Sequence, residues 1–156
     1  MSGTPVHVVV MAAGQGKRMR SSTPKVLHRI AGRPMLAHVL DAARAVAPKA
    51  VAVVVGAGGE AVRSALAAPD LAFVLQDPPR GTGDAVRAAL AGLPGDGVTV
   101  VVNGDTPLVP GALLRELAER AVRGRLALLT ARAPAPAGLG RVVRDAGGGV
   151  LRVVED

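Results

Sequence analysis

Along the chain, short Val-rich runs alternate with segments whose apolar residues recur every three or four positions. Apolar runs of five or six residues predict strands at 6–11, 50–55, 71–75, 98–102 and 126–131, because a strand covered on both faces is apolar at consecutive positions. Helices are predicted between them. Pro34 opens one in which Met35, Leu36, Val39, Leu40, Ala43 and Val46 form a single stripe. Others are predicted over 60–67, from Thr82 or Gly83 to Leu93, and over 111–123 with Leu113, Leu114, Leu117 and Ala121 inward. The run at 98–102 is the most apolar, so its place is expected to be central in the sheet. Beyond Pro134 and Pro136, residues 141–144 and 150–154 flank Asp145-Ala146-Gly147-Gly148-Gly149, the pattern of a hairpin.

Regular alternation of strand and helix predicts an α/β chain of the Rossmann-like, doubly wound kind. Its sheet is mostly parallel, with right-handed crossovers, helices on both faces and a C-terminal β-hairpin. The 156 residues suffice for one domain with a sizeable core, and no linker divides them. With one Phe and no Trp or Tyr, that core must be built from Val, Leu, Ala and Ile. The absence of Cys excludes disulfides and thiolate metal sites. No apolar run approaches the ~20 residues needed to span a bilayer. The start of the chain also lacks a signal-peptide pattern, so a cytoplasmic location without a membrane partner is expected.

Nineteen Lys and Arg against twelve Asp and Glu leave a net charge of +7. The Arg residues are scattered singly and no aromatic residues interleave to stack on bases, so the charge is not read as a nucleic-acid surface. Lys17, Arg18, Arg20 and Lys25 are close enough together to suggest an anion site. They follow Met11-Ala12-Ala13-Gly14-Gln15-Gly16 at the end of the first strand, where open α/β sheets bind ligands. Small residues at 12, 13, 14 and 16 let the backbone approach phosphate oxygens closely. Met19 occupies the third glycine position of a dinucleotide fingerprint, and a Walker-type loop lacks both its first Gly and its Ser or Thr.

Three further stretches carry candidate chemistry. Gln76 ends the third strand before Pro78-Pro79-Arg80-Gly81-Thr82-Gly83-Asp84-Ala85, and its amide offers a donor and an acceptor to a pyrimidine edge. Gly81 allows close approach, while Thr82 suits both a ligand contact and a helix N-cap. Asn103-Gly104-Asp105-Thr106-Pro107 follows the fourth strand, and a carboxylate there suits a hard cation such as Mg²⁺. Gly138-Leu139-Gly140-Arg141-Val142 and Val153-Val154-Glu155 complete the set. His7, His28 and His38 are read as packing or surface residues.

The small-residue loop, its basic pair and Pro24-Lys25-Val26-Leu27 resemble the nucleotidyltransferases that activate sugar phosphates. Cytidylyltransferases and molybdenum-cofactor guanylyltransferases share versions of this start, so the loop alone leaves the base open. Gly81-Thr82-Gly83-Asp84-Ala85, Asp105, Gly140 and Glu155, in order and spacing, resemble the bacterial uridylyltransferases of N-acetylglucosamine 1-phosphate from end to end. The resemblance implies UTP and the sugar phosphate as substrates, pyrophosphate and UDP-N-acetylglucosamine as products, and a role in cell-wall precursor synthesis. It implies Arg18 and Lys25 as catalytic groups. Ala12, Ala13, Gly14, Lys25, Gln76, Gly81 and Thr82 would bind nucleotide, Asn103, Gly140 and Glu155 would bind sugar, and Asp105 would bind Mg²⁺. That family usually has an aromatic residue where Asn103 stands.

In the resembled enzymes the domain continues past the glutamate, supplying an Asn for the sugar and a second Asn for the metal. A left-handed β-helix with acetyltransferase activity follows and builds a trimer. No hexapeptide repeats occur in this sequence, so a domain incomplete at its C-terminus and without acetyltransferase activity is expected, its oligomeric state open. The rival readings are a nucleotide-binding module without turnover, a related transferase with another base or sugar, and a basic nucleic-acid binder.

Overall fold

Val6–Ala12 forms strand β1, and its alternate side chains enter two separate cores because both faces of the sheet are covered. The computed structural model describes residues 3–14, 16, 19–121, 125–135 and 137–155. A 3-10 turn, Lys25–Leu27, leads into a two-residue ladder of β2 (Arg29–Ile30) and β3 (Arg33–Pro34). Helix α1 (Met35–Arg44) buries Leu36, Val39, Leu40 and Ala43, the stripe anticipated from the sequence. Strand β4 (Ala50–Val55), helix α2 (Glu60–Leu66), strand β5 (Leu71–Leu75) and helix α3 (Thr82–Leu90) follow. Strand β6 (Val98–Asn103), helix α4 (Gly111–Arg120) and the antiparallel pair β7 (Arg141–Arg144) and β8 (Val150–Val154) complete the described elements.

Four strands form a parallel sheet in the order β5-β4-β1-β6. Val8, Val10, Val53 and Val100 pack beneath Leu36 and Val39 of α1, Val62 of α2 and Leu114 of α4. Val9, Ala52 and Val54 pack on the opposite face against Ala85 and Ala89 of α3. The fold is therefore doubly wound as expected, with helices on both faces and a terminal hairpin. The chain steps outward from β1 to β4 and β5, then returns on the other face to place β6 beyond β1. That reversal opens a crevice past the carboxyl ends of β1 and β6, where such sheets bind ligands.

Two expectations are corrected. Residues 98–102 were expected at the centre, but β6 lies at the edge of the described sheet and β1 and β4 occupy its middle. Its apolar residues serve one face: Val98, Val100 and Val102 are buried, whereas Val101 is 45% exposed. Strand position follows from crossover direction, and α3 carries the chain back past β1. Residues 126–131 form no strand, and Leu126 is 93% exposed. Residues 126–129 line a cavity of about 490 Å³ together with β6 and α4, and no ladder among the described residues includes them. Elsewhere α3 ends at Leu90 rather than Leu93, and in α4 Leu114 and Ala118 are buried while Leu113 and Leu117 are half-buried. The anticipated end of that helix, Arg123, lies outside the described residues, as does Pro136.

Candidate functional site

The crevice at the reversal is a cavity of about 360 Å³ whose walls come from four separate segments. Ala13 and Gly14 follow β1, and Lys25 and Val26 belong to the 3-10 turn. Gln76, Gly81 and Thr82 lie between β5 and α3, and Asn103 and Asp105 follow β6. Residues scattered over ninety positions converge because every strand of a parallel sheet ends at the same edge.

Lys25 is held from below. Val26 is buried in the main core, and the amide of Leu27 donates to the carbonyl of Pro24 at 2.9 Å, closing the turn. Gly16 crosses over the Lys25 stem at φ +59°, and a Cβ there would lie 2.8 Å from the Lys25 Cβ. Only glycine meets both demands without displacing the lysine. Arg18 and Lys17 lie outside the described residues.

Asp105 is presented by a tight turn. The Thr106 hydroxyl donates to the Asn103 carbonyl at 2.7 Å, and the Gly104 amide donates to the Met11 carbonyl at 2.8 Å. These bonds tie the loop after β6 to the end of β1 and direct Asp105 toward Lys25. The Lys25 Nζ donates to the Asp105 Oδ2 at 2.6 Å, with the two side chains 38% and 36% exposed. A sequence separation of eighty residues hides this pair from any local pattern. Its geometry sets a cation and a carboxylate at one wall of a cleft rimmed by small residues.

Across the cleft, Gln76 is 5% exposed. Its amide N–H donates to the Val55 carbonyl at 2.8 Å, extending the β4–β5 ladder by one residue. Its side-chain Nε2 donates to the Gly81 carbonyl at 3.0 Å and lies 3.4 Å from the Asp84 Oδ2. The donor that the sequence offered to a pyrimidine edge is therefore engaged within the protein, and the acceptor Oε1 has no partner among the described residues. Hydrogen bonding from Gln76, then from Arg87, holds the Asp84 carboxyl below the usual carboxylate range. Thr82 is the first helical residue rather than the N-cap. Gly81 occupies the cap at φ +95° and no side chain caps the helix, so its first amides are left for a ligand at the positive end of the helix dipole.

The remaining sequence candidates divide. Asn103 lines the cleft directly, as the last residue of β6. The Ala12 side chain is buried in the core, which leaves its backbone for contact with a ligand. Gly140 and Glu155 come together at the base of the hairpin, where Arg141 pairs with Val154, and a Cβ on Gly140 would lie 3.5 Å from the Glu155 Oε2. Neither belongs to the cleft wall formed by the other candidates. Met11, Val26 and Pro79 line it as well; they stand inside the sequence motifs, but their apolar side chains gave no signal of a binding role. The histidines stand apart from the cleft: the His7 Nε2 contacts the Asp96 carbonyl and the His38 Nε2 the Ile30 carbonyl.

A divalent cation would find one carboxylate here. Among the described residues no group of three or more His, Asp or Glu side chains converges on a metal position. Asp105, whose Oδ2 accepts from the Lys25 ammonium, is the carboxylate that lines this cleft, and a divalent cation held by it would take its other ligands from phosphates and water.

The sequence matches the MobA-like NTP transferase domain family over residues 8–145. It is 52% identical over 150 residues to the bifunctional protein GlmU of Burkholderia thailandensis, and 51% identical to that of Cupriavidus pinatubonensis. Each alignment covers 96% of this chain and 33% of the relative, so the chain spans about a third of the length of these curated relatives. Among solved structures, Rv0371c of Mycobacterium tuberculosis superimposes with a TM-score of 0.66 at 32% identity, over 76% of this chain and 61% of that one. The same mycobacterial protein in complex with manganese gives 0.63 at 30% identity, over 74% and 59%. A nucleotidyl transferase from Methanothermobacter gives 0.67 at 28% identity, over 75% and 58%. The match over most of the sequence and the shared fold lead to one conclusion: the chain belongs to the MobA-like NTP transferase domain family.

Proposed function

We propose that this domain transfers a uridylyl group from UTP to N-acetylglucosamine 1-phosphate, releasing pyrophosphate, as a cytoplasmic step of cell-wall precursor synthesis. The observation that carries the reading is the convergence of the Lys25–Asp105 pair, the Ala13–Gly14 backbone and the Gln76 amide on one cleft of about 360 Å³. Half-identity to the GlmU proteins across almost the whole chain supports it.

The reaction is in-line attack of a sugar-phosphate oxygen on the α-phosphorus of UTP, breaking the bond to the pyrophosphate oxygen. The nucleophile is already anionic, so catalysis rests on positioning and charge neutralisation rather than on a general base. Ala12, Ala13, Gly14 and the uncapped start of α3 at Gly81 and Thr82 hold the nucleotide by backbone amides. Lys25 and Arg18 neutralise the triphosphate. Asp105 would hold Mg²⁺, which when bound would supply charge neutralisation at the triphosphate beside Lys25. Asn103, Gly140 and Glu155 are assigned to the sugar.

The test is pyrophosphate release from the 156-residue chain with UTP, N-acetylglucosamine 1-phosphate and Mg²⁺. Release that depends on all three is expected, and release with GTP or CTP in preference to UTP would refute the base assignment. A second reading, nucleotide binding without turnover, is favoured by the single carboxylate at the metal position among the described residues. It predicts UTP binding with no pyrophosphate release at saturating sugar phosphate.

A further inference from the structure

The amide of Gln76 lies between two oxygens. The Gly81 carbonyl is 3.0 Å from its Nε2 and the Asp84 Oδ2 is 3.4 Å away, and both are acceptors. Which end of a Gln amide carries nitrogen is decided by such neighbours. Turning the amide over would set Oε1 against a carbonyl and a carboxylate, two unfavourable contacts at a nearly buried site. Both Nε2 hydrogens are therefore spoken for. What the amide can still offer is Oε1, an acceptor without a partner among the described residues, on a side chain that lines the cleft.

Asp84 is itself fixed. The Arg87 Nη2 donates to its Oδ1 at 2.5 Å, one turn along α3. This pair leaves Oδ2 for Gln76 and keeps the carboxylate ionised, so that it can only accept.

We propose that Asp84 is a positioning residue for base selection, holding the Gln76 amide with its carbonyl oxygen toward the cleft so that the site takes a base with a ring N–H and disfavours one with a bare ring nitrogen. Uracil carries an N–H at position 3, between two carbonyls, and donates to such an oxygen. Cytosine has an unprotonated nitrogen there and would meet it acceptor to acceptor. The proposal rests on the uridylyl reading and adds to it the residue that sets the polarity of recognition. Leaving a nearly buried acceptor unpaired disfavours the wrong base by roughly ten- to a hundredfold. The competing role for Asp84 is a carboxylate in the first turn of α3, complementing the helix dipole. That role affects fold stability and every nucleotide alike.

The experiment measures UTP and CTP dissociation constants by calorimetry for the wild-type chain, Asp84→Ala and Asp84→Glu, with thermal melting of each. The wild type should prefer UTP by about tenfold or more. Asp84→Ala should shrink that preference by about three- to tenfold, mainly by weakening UTP, since one of the two groups orienting the amide is gone. Asp84→Glu, which can still accept from Gln76, should recover part of it. An equal loss for both nucleotides, or an unchanged ratio, overturns the role of Asp84. Failure of the wild type to bind UTP, or a wild-type preference for CTP, refutes the uridylyl reading and the proposal with it. Wild-type selectivity that persists in Asp84→Ala leaves that reading standing and removes Asp84 alone.

Discussion

Replacing Lys25 with Met separates a functional role for the Lys25–Asp105 pair from a structural one. The two side chains are 38% and 36% exposed, so water screens their attraction despite the 2.6 Å contact. Ion pairs at that exposure contribute about 0.2–1 kcal/mol to stability. For a domain of this size, 1 kcal/mol shifts the melting temperature by about 2–4 °C, so Lys25→Met is expected to melt within about 4 °C of the wild type. Asp105 is not stranded by the change, because it remains open to water. Activity should behave differently. If Lys25 neutralises charge on the triphosphate, its loss removes a preorganised electrostatic contact and should lower turnover by about 10²–10³-fold. The assay pairs pyrophosphate release at saturating UTP with thermal melting of the same preparation, and Asp105→Asn is measured beside it. A variant that melts more than ~10 °C lower, with activity falling only in step with unfolding, would show a structural pair. Turnover within threefold of wild type would remove Lys25 from the chemistry altogether.

Leu36→Ala should cost about 2–5 kcal/mol in urea unfolding, because the side chain is fully buried between α1 and the sheet; a loss below 1 kcal/mol would show that the core collapses around the gap. Gly16→Ala should destabilise by about 1–3 kcal/mol, since φ is +59° and the new Cβ would meet the Lys25 Cβ at 2.8 Å. It should also weaken UTP binding measured by calorimetry, and unchanged affinity would detach the loop from the site. The pH dependence follows from Asp70, whose carboxyl is held below its ordinary 3.8 chiefly by the hydrogen bond from Arg44. A lowered folded value means the pair stabilises fully above that range and loses its contribution as pH falls through it. Wild type and Asp70→Asn should therefore differ in melting temperature near neutral pH and converge below pH 3.8, and a constant gap down to pH 2 would contradict this.

The main strands and helices were legible because their signals are local. The stripe Leu36, Val39, Leu40, Ala43 could bury one face only as a helix, and the Val runs at 50–55 and 98–102 suited strands in a sheet flanked by helices. The small-residue loop, Gln76 and Asp105 could be picked out because each residue type carries its chemistry wherever it stands. Composition likewise dictated a core of aliphatic side chains. Other properties arise only when distant segments meet. Apolarity alone placed β6 at the centre, whereas the return of the chain through α3 sets it beside β1, at the edge of the described sheet. Residues 126–131 have the composition of a strand, but a strand needs a neighbouring ladder, and none among the described residues includes them. The 2.6 Å contact between Lys25 and Asp105 joins residues eighty positions apart. The orientation of the Gln76 amide depends on which atoms of Gly81 and Asp84 point at it, and residue identity leaves that direction free. Periodicity and residue chemistry act over a few residues and can be read along the chain; strand order, ion pairing and donor direction are relations between surfaces, and folding alone brings those surfaces together.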